Sequence, residues 1–130
     1  MRGGNRGFTL VEIMIVVAVI ALLAAIALPG LLRSRILAND TLAKATLKTL
    51  AVASENFANN NPAYPTVMAD LTGAVPPYII MTDPCSNSVA GFTYTCTMVY
   101  GGYTFIASPN SIGKTGTTTY TITTGGLWIP

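Results

Sequence analysis

Hydrophobic and polar positions divide this chain into three regions of different period. Ile13 to Leu32 is an uncharged run of 20 residues, IMIVVAVIALLAAIALPGLL. At 1.5 Å rise per residue, a helix of that length spans about 30 Å, the thickness of a bilayer core. From Arg33 the pattern turns amphipathic. Ile36, Ala43, Leu47, Leu50, Ser54 and Phe57 recur at helical spacings and make one stripe. Arg33, Lys44, Lys48 and Glu55 cluster on another face, and Asp40 stands four residues before Lys44, the spacing of a helical ion pair. Together the two regions predict one helix of about 50 residues, far longer than a typical globular helix. It should stop near Asn59-Asn60-Asn61, ahead of Pro62.

Beyond Pro62 the period falls toward two. The segment PTVMADLTGAVPPYIIMTDP is broken by Pro and Gly and reads as a helical turn around Val67 to Leu71, then extended chain. Phe92 to Met98 alternates strictly, with Phe92, Tyr94, Cys96 and Met98 on one face and Thr93, Thr95 and Thr97 on the other. Gly101-Gly102 makes a turn into a second strand, Tyr103 to Ala107. A loop from Pro109 to Thr117 leads to a third strand, Thr118 to Thr123, with Tyr120 and Ile122 facing in. Gly125-Gly126 precedes a short last segment, Leu127 to Ile129. Three or four antiparallel strands with one apolar face need a cover, and the amphipathic half of the helix supplies it. The expected class is α+β.

Charge sharpens the picture. Only 9% of residues are charged, against roughly a quarter in a usual soluble domain. Net charge is +2, and the excess sits in Arg2 and Arg6; from Phe8 onward Arg33, Arg35, Lys44, Lys48 and Lys114 balance Glu12, Asp40, Glu55, Asp70 and Asp83. That balance gives no reason to expect a nucleic-acid surface. The chain has no His, which removes the commonest general base and metal ligand. No nucleophile-base arrangement, phosphate-cradling loop or acidic calcium cluster stands in the sequence. No enzyme activity, cofactor or metal is expected. The aromatic positions Phe92, Tyr94, Tyr103, Phe105, Tyr120 and Trp128 read as core or subunit contacts. Asn39-Asp40-Thr41 fits a glycosylation sequon but lies mid-helix.

The apolar run fits a membrane helix, a removable secretory signal or a very apolar core helix. Ala25-Ile26-Ala27 even offers a small-x-small cleavage site. However, the run is long for a signal, continues past that site, and is headed by Glu12. Basic residues flank both ends, so counting them leaves orientation open. A carboxylate in a membrane is costly without a partner, and Arg33 lies about 30 Å away along the same helix. Pro29 lacks an amide donor and leaves the Ala25 carbonyl unpaired, and Gly30 adds flexibility, so the helix should bend or loosen there.

Arg6-Gly7-Phe8-Thr9-Leu10-Val11-Glu12, the apolar helix and its Pro29 resemble the N-terminus of type IV pilins and type II secretion pseudopilins. The resemblance is carried by Arg2 to Arg35. It implies a prepilin peptidase that cuts between Gly7 and Phe8 on the cytoplasmic side and methylates the new amine of Phe8. It implies that this amine meets Glu12 of a neighbouring subunit, and that the Pro29-Gly30 region unwinds when subunits pack. The Tyr64-Pro65 start and Pro76-Pro77-Tyr78-Ile79 end of the segment after the helix resemble pseudopilins and some pilins. The implied organisation is a leader at 1–7, a membrane or filament-core half of the helix at 8–32, its amphipathic half at 33–61 and a globular part at 62–130.

The expected protein is thus a structural subunit with the pilin fold. It would start as a single-pass inner-membrane protein and end in an extracellular or periplasmic filament. Its partners would be like subunits, the peptidase and the assembly machinery. A pseudopilin of a short periplasmic filament is the alternative, and a non-polymerising anchored adhesion domain is a third reading. For an exported chain, two cysteines suggest one disulfide, Cys85–Cys96, with two buried thiols the other option.

Overall fold

A computed structural model describes residues 7–129. Residues 1–6, with Arg2 and Arg6 of the expected leader, and Pro130 lie outside the described residues. Helix α1 runs Leu10–Asn60, 51 residues, and α2 is Met68–Thr72. Five strands follow: β1 Ser88–Val89, β2 Phe92–Val99, β3 Gly102–Pro109, β4 Tyr120–Thr123 and β5 Leu127–Ile129. Two compact units divide at Ser34 and Arg35. The first holds the apolar part of α1, and the second holds the rest of α1, α2 and the sheet.

In the second unit the sheet is a meander in the order β1-β2-β3-β4-β5, every neighbouring pair antiparallel. Phe92 and Tyr94 are buried while Thr93, Thr95 and Thr97 face out, as alternation requires. The core joins Phe92, Tyr94, Tyr103, Phe105 and Ile122 of the sheet to Ala43, Leu47, Leu50, Ala51 and Ala53 of α1. Alanines on the buried helix face leave room for the sheet's aromatic rings. Ser54 is fully buried, and its hydroxyl donates to the Leu50 carbonyl at 2.9 Å.

The sheet has one strand more than the pattern predicts. β1 is two residues long, too short to show a period. It pairs Val89 with Phe92 across the two-residue turn Ala90-Gly91. Both turn residues have positive φ, 51° and 76°, which matches the strand twist of a tight hairpin. β4 begins at Tyr120 rather than Thr118, because α1 captures the preceding loop. Asn39 Nδ2 donates to the Thr115 carbonyl at 2.9 Å. Asp40, only 6% exposed, accepts from the Thr117 amide at 2.9 Å and hydroxyl at 2.8 Å. The expected Asp40–Lys44 pair therefore gives way: Lys44 Nζ lies 4.7 Å from the Tyr120 ring centroid instead.

A disulfide joins Cys85 to Cys96, with Cα atoms 5.7 Å apart and a sequence separation of 11. It ties the segment after α2 to β2. Asp83 shapes the approach by accepting from the Cys85 amide at 2.8 Å and the Ser86 hydroxyl at 2.6 Å.

Candidate assembly site

The first unit presents Phe8, Thr9 and Glu12 at the head of α1. Thr9 and Glu12 bond reciprocally across the first turn. The Glu12 amide donates to Thr9 Oγ1 at 3.3 Å, and the Thr9 amide and hydroxyl donate to Glu12 Oε2 at 3.3 and 3.4 Å. This is a capping box, which satisfies amides that the first helical turn otherwise leaves open. The carboxylate also sits at the positive end of the helix dipole. Thr9-Leu10-Val11-Glu12 ahead of an apolar run spells that signal, and the resemblance-based reading of Glu12 passes over it. Both hydrogen bonds to the carboxylate fall on Oε2. Phe8 is 81% exposed. A Cβ on Gly7 would meet nothing within 4 Å, so the chain's own packing does not require glycine there.

Along the rest of this unit every side chain of the apolar window is exposed, Leu10, Leu22, Ile26 and Leu31 prominently so. An unpartnered apolar helix long enough to span a bilayer fits a membrane or a set of like helices. Helix α1 is continuous through Pro29 and Gly30 in this chain, and the Ser34 hydroxyl donates back to the Gly30 carbonyl at 3.0 Å.

The second unit contains a polar centre that sequence reasoning misses. Glu55 Oε1 accepts from the Tyr103 hydroxyl at 2.9 Å and the Gly125 amide at 2.7 Å, and Oε2 accepts from the Tyr64 hydroxyl at 3.0 Å. The Gly126 amide donates to the Tyr103 oxygen at 3.2 Å. Gly125 and Gly126 have φ of 80° and 70°, which points their amides inward. One carboxylate thus fastens α1 to β3, to the segment after α1 and to the turn before β5. Burial and the Glu55 hydrogen bond raise the Tyr103 pKa well above its ordinary value. The Glu55 bond, then burial, raises that of Tyr64. These are structural tethers. Among the described residues no group of three or more His, Cys, Asp or Glu is placed to hold a metal.

Residues 2–28 match the family model described as the prokaryotic N-terminal methylation motif. The type IV major pilin protein PilA of Myxococcus xanthus is 45% identical over 60 residues, 46% of this chain and 27% of that protein. The type IV wide pilus major component PilA4 of Thermus thermophilus is 42% identical over 66 residues, 51% of this chain and 50% of that protein. Over its N-terminal half the chain is similar to type IV pilins. The type II secretion system core protein G of Pseudomonas aeruginosa is 38% identical over 74 residues, 57% of this chain and 52% of that protein. The matches to these three relatives thus span from about a quarter to about half of their length. No solved structure matches this chain. The long helix and antiparallel sheet agree with the α+β pilin fold.

Proposed function

We propose that the chain is a structural subunit that polymerises through its N-terminal helix into an extracellular filament of the type IV pilus kind. The observation that carries this is the head of α1. A lone carboxylate, bonded through one oxygen to its own helix cap, stands on an otherwise bare apolar helix. Cleavage after Gly7 would leave a methylated amine on Phe8, the nearest positive charge a neighbour can bring to Glu12. The leader would face the cytoplasm, and the helix would rest in the inner membrane before assembly. Loosening at Pro29 and Gly30 would accompany entry into the filament. Prepilin peptidase and the assembly machinery are the partners this requires. Similarity to both pilus components and a secretion-system core protein keeps a short periplasmic filament as a second reading.

The test is Glu12→Ala expressed in place of the native chain. The variant should insert in the membrane and lose its leader yet be absent from sheared filaments. Normal incorporation would refute the role of Glu12 and favour an anchored, non-polymerising domain.

A further inference from the structure

Helix α1 stops short of the bond that leader removal must break. Gly7, Phe8 and Thr9 are not helical, all three are exposed, and α1 begins at Leu10. Thr9 is the boundary residue. Its carbonyl accepts the first helical bond, from the Ile13 amide at 3.3 Å, and Gly7 and Phe8 lie outside.

The hydrogen bonds of the first turn explain that boundary. Were the helix to continue toward the N-terminus, the Glu12 amide would donate to the Phe8 carbonyl and the Val11 amide to the Gly7 carbonyl. The Thr9 hydroxyl takes the Glu12 amide instead, at 3.3 Å, and the Glu12 carboxylate takes the Thr9 amide at 3.3 Å. The carbonyl of the Gly7–Phe8 peptide bond therefore stays clear of the helix. Phe8, placed to fold back on Ile13 as a hydrophobic staple, remains exposed. Gly7 is a weak helix former and favours the same boundary, but it does not set where the first turn begins. A peptidase needs this arrangement. Hydrolysis breaks the C–N bond between Gly7 and Phe8, and water gives its hydroxyl to the Gly7 carbonyl carbon and its hydrogen to the Phe8 nitrogen. Proteolysis concentrates in exposed, irregular chain, where the carbonyl is open to attack.

We propose that Thr9 is a positioning residue for leader removal, its hydroxyl ending α1 at Leu10 so that the Gly7–Phe8 bond is held out as exposed, non-helical chain for the peptidase. This rests on the reading that the chain is cut after Gly7. It gives Thr9 a task that precedes assembly, before Glu12 meets any neighbour.

The test is leader release from the detergent-dispersed full-length chain by membranes carrying prepilin peptidase, as initial rates over a range of chain concentrations. Thr9→Val, equal in bulk but without the hydroxyl, should raise the apparent KM about five-fold, the size of an ordinary N-cap. It should leave kcat near native, because fewer free chains present the bond while the bound chain is unchanged. Thr9→Ser and Thr9→Asn both form caps and should stay near native. Adding Leu10→Pro to Thr9→Val should restore the low KM, since proline at the first helical position keeps residue 9 out of the helix without any hydroxyl. Equal KM for Thr9→Val and the native chain would overturn the proposal. So would an effect on kcat alone, or rescue by serine but not by proline, either of which would mean that the peptidase touches the hydroxyl itself. Failure of the unmodified chain to be cut after Gly7 would overturn the cleavage reading as well.

Discussion

Thr9 caps the helix that carries Glu12, and Glu12 returns the bond to the Thr9 amide at 3.3 Å. The carboxylate therefore has a local partner before any neighbour arrives. Removing it loses the carboxylate's half of the capping box, about 1 kcal/mol for a hydrogen bond, and any contact it makes between subunits, while Thr9 still accepts from the backbone amide at position 12. Thr9→Ser keeps the hydroxyl and Thr9→Val removes it at equal bulk. Filament yield should stay near normal for Thr9→Ser and fall for Thr9→Val. Equal yields from the two would mean that the cap does not prepare Glu12 for assembly.

Glu55 and Tyr103 should dominate the alkaline stability of the second unit. The Tyr103 phenol has its pKa raised on folding from an ordinary value of 10.0. Its contribution is fully present below pH 10 and is lost as pH rises from there toward the folded value, because the unfolded state releases the proton first. Thermal unfolding followed by circular dichroism should show that decline in the native chain and a flatter one in Tyr103→Phe. At neutral pH Tyr103→Phe should be less stable by roughly 1–2 kcal/mol, from the lost bonds to Glu55 and Gly126.

Asp40 holds the loop before β4 through two bonds to Thr117. Asp40→Ala removes both, at a cost of about 1 kcal/mol for each hydrogen bond lost. Limited proteolysis should then cut the native chain slowly and the variant quickly between Asn110 and Thr119. An unchanged cleavage pattern would mean that the loop is held by other contacts.

The disulfide closes a loop of 11 residues in sequence separation, which constrains the unfolded chain by about 2–4 kcal/mol. Alkylation of the intact protein without reductant should label neither Cys85 nor Cys96. Reduction should lower the melting temperature of the second unit. Labelling of both cysteines in the native protein would contradict the pairing.

The parts legible in the sequence are those with a sustained period. Twenty uncharged residues and the Ala43–Leu47–Leu50–Ser54 stripe specify α1, and the alternation from Phe92 to Met98 specifies β2. β1 is too short for any period to appear. The start of β4 depends on Asp40, 77 residues from Thr117. Glu55 was legible only as a charge on a polar face, since its partners Tyr103 and Gly125 lie 48 and 70 residues away. The cap at Thr9 is the exception. It is written locally as Thr-x-x-Glu, and the same glutamate lies within the matched methylation motif.

The central claim is that this chain, cut after Gly7, is the building unit of a filament. The direct measurement is the intact mass of the main protein in filaments sheared from cells and washed free of membrane. The account predicts the mass of Phe8 to Pro130 carrying one methyl group and one disulfide. A filament fraction lacking this chain, with the full-length or Leu28-starting protein found only in membranes or medium, would contradict it.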